Sequence, residues 1–202
     1  MKKKIVMFQG DSITDAGRDR SDNHLMSGYT AFVKDALKDE FEFLNYGISG
    51  DTSRQLLQRH KDEISKVKPD VLVLLIGIND VWRHVDNITE AMTTHEEFIK
   101  KTLEILKISK EINPNIKIIY IEPFLIRGTS QVYERGYDYY LYNMKLVKEN
   151  VHPLVDYYVS LQDYFLSHTT KERPLLGDGV HPDPDGQKII AARIINILKE
   201  LD

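Results

Sequence analysis

The sequence contains no cysteine. That excludes disulfides, thiolate metal ligands and a cysteine nucleophile, and leaves any catalysis to oxygen and nitrogen groups. It also lacks an apolar run long enough to span a membrane. Charge of one sign is not in excess: 27 Lys and Arg face 31 Asp and Glu, for a formal net charge of -4. With no basic field, neither nucleic acid nor an anionic membrane surface is an expected partner. Met1-Lys2-Lys3-Lys4 has the charge of a signal-peptide start, but only Ile5 to Phe8 follow before Gln9-Gly10-Asp11, too few apolar residues for a leader. A cytoplasmic location is expected. Repeats, linkers and low-complexity stretches are missing too, so residues 1–202 are read as a single domain.

Five short apolar runs are present: Ile5 to Phe8, Phe41 to Tyr46, Val71 to Ile76, Ile116 to Ile121 and a weaker Leu154 to Val159. They alternate with longer helical patterns near 28–39, 52–66, 95–112 and 131–149, and a last helix opens at Asp183-Pro184, an N-cap followed by proline at the first helical position. This alternation predicts an α/β fold, a three-layer α/β/α sandwich with about five parallel strands; the expected strand order is the flavodoxin-like 2-1-3-4-5, one of the common orders for such sheets. Val71 to Ile76 has no polar alternation, as a strand buried on both faces requires.

Ligands of open parallel sheets bind beyond the carboxyl ends of the strands. Strand one runs into Gly10-Asp11-Ser12-Ile13-Thr14, strand two into Gly47-Ile48-Ser49-Gly50-Asp51-Thr52 and strand three into Gly77-Ile78-Asn79-Asp80, while Asp178-Gly179-Val180-His181-Pro182 precedes the last helix. A serine hydroxyl needs an adjacent base, and histidine is the side chain whose pKa suits that work near neutrality. Ser12 with His181 as base, and Asp178 three residues earlier to orient the imidazole, make a triad. Backbone N–H groups at Ser12 and Gly50 and the amide of Asn79 are the expected oxyanion donors. Each block alone reads equally well as a cap or turn; their joint placement is what points to chemistry.

In this order, Gly10-Asp11-Ser12, Gly50, Gly77-Ile78-Asn79-Asp80 and Asp178-Gly179-Val180-His181 resemble the four signature blocks of the SGNH (GDSL-type) hydrolase superfamily. The resemblance implies a serine esterase that works through an acyl-enzyme and needs no metal or cofactor. It assigns the nucleophile to Ser12, the oxyanion hole to Ser12, Gly50 and Asn79, and the rest of the triad to Asp178 and His181. The longer stretches 10–18, 47–54 and 76–83, with Glu122-Pro123-Phe124, resemble the intracellular acetylxylan-esterase branch, whereas 125–175 matches it poorly. A small-molecule ester, an acetylated sugar or oligosaccharide, is the implied substrate. Asp11, Arg54, Trp82 and Arg83 lie close enough in sequence to these blocks to be candidate substrate contacts. A lysophospholipase or thioesterase of the same superfamily is the alternative, and a flavodoxin-like nucleotide- or flavin-binding module is the alternative from another class. The latter has neither a Gly-x-Gly-x-x-Gly fingerprint nor a Walker A lysine to support it.

Tyr133, Tyr137, Tyr140 and Met144 fall at helical spacing and are read as a packed face or subunit contact, and the sequence permits a homo-oligomer. His24, His60, His84, His95, His152 and His168 show no metal-ligand spacing.

Overall fold

A computed structural model describes residues 2–87, 92–127 and 131–201, with the side chains of 131–133 outside the description. Strands β1 (Lys4–Gly10), β2 (Phe41–Gly47), β3 (Val71–Leu75), β4 (Lys117–Ile121) and β5 (Tyr157–Val159) form one sheet. Every pairing is parallel, as the alternating pattern predicts, and the order is β2-β1-β3-β4-β5, the flavodoxin-like one expected. All of β3 is buried, while β2, at the edge, alternates buried and half-buried residues.

Helices cover both faces. On one, Phe8 of β1 meets Tyr29 of α2 (Gly28–Leu37) edge to face at 5.8 Å, and α2 packs against α8 (Pro184–Glu200). On the other, Gln9 points at His60 of α3 (Ser53–Val67), which packs against α5 (His95–Ile112). Residues alternate between faces along a strand, so Phe8 and Gln9 serve opposite layers. Thr52 and Thr94 cap α3 and α5, each in a capping box with a Gln or Glu three residues on. The four-residue α1 (Ser12–Asp15), α4 (Ile78–Val85), α6 (Gln131–Asn150) and α7 (Gln162–His168) complete the set.

The expected fifth strand is shortened. Pro153 sits in a 3₁₀ turn, His152–Leu154, where its missing N–H costs nothing, and pairing begins only at Tyr157. Among the described residues no helix is long and apolar enough to cross a membrane.

Candidate active site

The carboxyl edge of the sheet brings the four blocks together. β1 ends at Gly10, and Asp11 caps α1 by accepting the Ile13 N–H at 3.0 Å, which sets Ser12 on a tight strand-to-helix turn. Asp11, expected at the substrate, is 1% exposed and buried directly before Ser12. Its second carboxylate oxygen is buried without a hydrogen-bond partner. Burial pushes this carboxyl up to about 7, against the pull of the Ile13 N–H and of nearby His181.

Asp178 and His181 sit on a loop closed by an isolated bridge between Leu176 and Pro182, just ahead of α8. One oxygen of Asp178 accepts the backbone N–H groups of Val180 (3.0 Å) and His181 (2.7 Å), leaving the other for the imidazole Nδ1 at 2.6 Å. A carboxylate can only accept, so the proton of neutral His181 belongs on Nδ1 and the lone pair of Nε2 faces Ser12 Oγ, 2.8 Å away. Burial raises the Asp178 pKa, but the hydrogen bonds from His181 and Val180 outweigh it and hold the carboxyl well below the usual range. In return the bond to Asp178 raises His181 above its ordinary value, with burial opposing.

Gly50 adopts φ +89°, a region open to glycine, and borders the same space as Ser12 and His181. Asn79 is the second residue of α4, 4% exposed, with its Nδ2 donating to Asp51 O at 3.0 Å. The Gly50 loop and the Asn79 amide are thereby held side by side.

Two residues that the sequence reading did not single out for the site fasten this arrangement. The buried Asp80 carboxylate accepts Ser53 N–H (2.9 Å), Ser53 Oγ–H (2.6 Å) and Thr93 Oγ1–H (2.7 Å), pinning the start of α3 to α4. Arg59 donates to the Asp51 carboxylate (2.8 Å), to Tyr46 O (2.8 Å) and, at 3.4 Å, to Gly10 O, so one guanidinium spans the ends of β1 and β2 and the Gly50 loop. At helical spacing from Glu63, Arg59 looks like half of a solvated i,i+4 pair, and that pair does form at 2.7 Å. Its reach to the strand ends has no local sequence signal.

A cavity of about 310 Å³ joins Ser12 and His181 to Gly50, Asn79, Trp82 and Val180. Trp82 donates from Nε1 to Asp86 at 2.6 Å, and the Arg83 guanidinium lies over its ring, 4.3 Å from the centroid. A Cβ on Gly50 would stand 3.6 Å from Arg83 Nη2, so Arg83 is close to the expected oxyanion donors. Arg54 is directed elsewhere: it donates to Met92 O at 2.8 Å and faces Glu97 at 3.6 Å, and it is not on the cavity wall.

Elsewhere, Tyr140 and Met144 are buried and Tyr137 packs against the core, while Tyr133 falls outside the described side chains. No group of His, Cys, Asp and Glu among the described residues has the arrangement of a metal site.

The profile of the GDSL-like lipase/acylhydrolase family matches residues 8–189. An acetylxylan esterase of Geobacillus stearothermophilus is 35% identical over 92% of this chain and 90% of its own length. The crystal structure of Axe2, an acetylxylan esterase from Geobacillus stearothermophilus, superposes with a TM-score of 0.80 at 30% identity, covering 96% of this chain and 93% of that one. A shorter match, 35% identical over 39% of this chain and 30% of the relative, is to human platelet-activating factor acetylhydrolase IB subunit alpha2.

Proposed function

Because this chain belongs to the GDSL-like lipase/acylhydrolase family and is a carboxylic ester hydrolase, we propose that it cleaves esters through an acyl-enzyme on Ser12. The observation that carries this reading is the line from Ser12 Oγ to His181 Nε2 (2.8 Å) and from His181 Nδ1 to Asp178 (2.6 Å). His181 takes the Ser12 proton as the oxygen attacks the ester carbonyl. Asp178 holds the tautomer and stabilises the imidazolium that forms. The backbone N–H groups of Ser12 and Gly50 and the Asn79 amide receive the negative charge on the carbonyl oxygen. His181 then returns the proton to the departing alcohol, and water, activated by the same imidazole, releases the acid.

The preferred acyl group in this reading is short, above all acetyl, because the cavity beside the proposed donors is small and Trp82 stands on its wall. The alcohol is a carbohydrate, by analogy with the acetylxylan esterase relative. Residues 1–202 act as one catalytic domain on a small-molecule ester in the cytoplasm.

A serine-directed fluorophosphonate followed by mass mapping tests the mechanism. Label on Ser12, lost in Ser12→Ala, is expected; full esterase activity in a folded Ser12→Ala protein overturns it. The substrate is tested by kcat/KM for p-nitrophenyl acetate, butyrate and octanoate together with acetate release from peracetylated xylobiose. Preference for octanoate without sugar deacetylation moves the assignment to the lysophospholipase or thioesterase alternative.

A further inference from the structure

A second cavity opens on the Ser12–His181 pair. It is larger, about 590 Å³, and shares only those two residues with the first. Its remaining wall is mainly apolar: Met26 just ahead of α2, Ala31 and Phe32 within its first turns, Pro182 ahead of α8 and Pro184 at its start. Neither Gly50 nor Asn79 reaches it.

Ester cleavage on Ser12 imposes a geometry on the two halves of the substrate. The carbonyl oxygen must meet the oxyanion donors, and the departing oxygen must stay within reach of the imidazole that protonates it. Beyond Ser12 itself, the proposed donors all border the smaller cavity, whereas His181 borders both. The acyl group therefore belongs on the Trp82 side and the alcohol on the Phe32 side.

The chemistry of the wall narrows the alcohol further. Apart from Ser12 and His181, two polar side chains line it, and both are engaged with backbone: Ser27 Oγ donates to Ala16 O at 2.7 Å, and Gln187 Oε1 accepts the Tyr29 N–H at 2.8 Å. Phe32, on this wall, is 37% exposed, so its ring is accessible from the cavity. The platform is firmly seated. Gly28 has φ +55°, and a Cβ there would come within 2.7 Å of the Ala16 methyl, so α2 begins in close contact with the segment that follows the nucleophile.

We propose that this larger cavity is the leaving-group subsite and that it selects alcohols borne on a rigid ring, whose C–H or aromatic face packs on Phe32 and Met26. The assignment rests on Ser12 as nucleophile. It adds a determinant of alcohol choice separate from the acyl wall at Trp82.

The test holds the acyl group constant. Ethyl acetate, cyclohexyl acetate, phenyl acetate and an acetylated methyl xyloside all give the same acetyl-enzyme, so differences in kcat/KM report the alcohol side alone. Removing the ring of Phe32 in Phe32→Ala is expected to lower the ratio of ring-acetate to ethyl-acetate kcat/KM about five- to tenfold, in line with the modest strength of ring-face contacts. Ala31→Trp, which fills the cavity, is expected to lower that ratio further. Trp82→Ala is expected to change the acetate-to-octanoate ratio and leave the ring-to-ethyl ratio alone. A fall for the xyloside and cyclohexyl acetate identifies a saturated ring as the occupant, and a fall for phenyl acetate alone an aryl ring; either supports the subsite. Unchanged ratios in both α2 variants, with fluorophosphonate still labelling Ser12, overturn the subsite and leave the nucleophile standing. Absence of label on Ser12 in the wild type overturns both.

Discussion

To accept the Ser12 proton, His181 must be neutral, and its contact with Asp178 works against that state by raising the imidazole pKa above 6.5. The sign follows directly. Protonation begins at a higher pH than for a free histidine, so kcat/KM is expected to fall on acidification with a midpoint above 6.5. Asp178, held well below the usual carboxylate range, stays ionised across that window. Asp178→Asn removes the main cause of the raised pKa and also allows the wrong tautomer. A pH–rate profile of this variant should show an acid limb moved to lower pH, under a rate reduced about a thousand- to ten-thousandfold. An unmoved limb at an undiminished rate points to another orienting group. For Asn79 the relevant contrast is between ground and transition state. Its amide rests on Asp51 O, and in the proposed mechanism it gains a further partner as charge develops on a substrate oxygen. Steady-state kinetics of Asn79→Ala should show kcat reduced about a hundred- to a thousandfold with KM little changed. A raised KM at constant kcat reassigns the residue to substrate binding.

Helices and strands were unequally legible. The uninterrupted apolar run of β3 and the capped starts of α3, α5 and α8 are strong local signals, and these elements lie close to where the pattern puts them. α4 carries no comparable start signal, since it opens without a side-chain cap, from Gly77 at φ +135°. α7 follows Leu161, again without a side-chain cap, and has no start signal either. The candidate site shows the same division. Ser12, Asp178, His181, Gly50 and Asn79 were legible because short motifs at strand ends carry them. Arg59 and Asp80 were not, since the partners that tie them to the site lie 8 to 49 residues away and only the fold unites them. Gly77 is where an element-level prediction belongs. A Cβ there would stand 2.8 Å from the Phe98 ring in a backbone region that side chains avoid. Gly77→Ala is expected to cost about 1–3 kcal/mol of stability, read as a lower midpoint in chemical denaturation. Because α4 carries Asn79, activity measured well below that midpoint should fall too. Native stability with native activity indicates that the turn relaxes without strain.

Across the whole molecule, parallel pairing separates the two edges of the sheet. Turns that lead from strand to helix gather at one edge, with Ser12, Gly50 and Asn79; turns that lead back from helix to strand, at 38–40, 68–70 and 113–116, hold none of the candidate site residues. The shared topology with Axe2 follows from the same arrangement. One rim thus carries the candidate site and the other is open to growth. Lengthening an exposed turn costs little, about 0.6 kcal/mol for each doubling of its length. Lys38, Asp39 and Glu40 are all exposed. A ten-residue Gly/Ser insertion between Asp39 and Glu40 is therefore expected to leave acetate-ester turnover within about twofold, whereas the same insertion between Ser49 and Gly50 should abolish it. Comparable losses from both insertions would mean that the two rims are mechanically coupled. If they are not, the 38–40 turn is a port through which a tag, a binding module or a tether can be attached while the catalytic rim keeps facing the substrate.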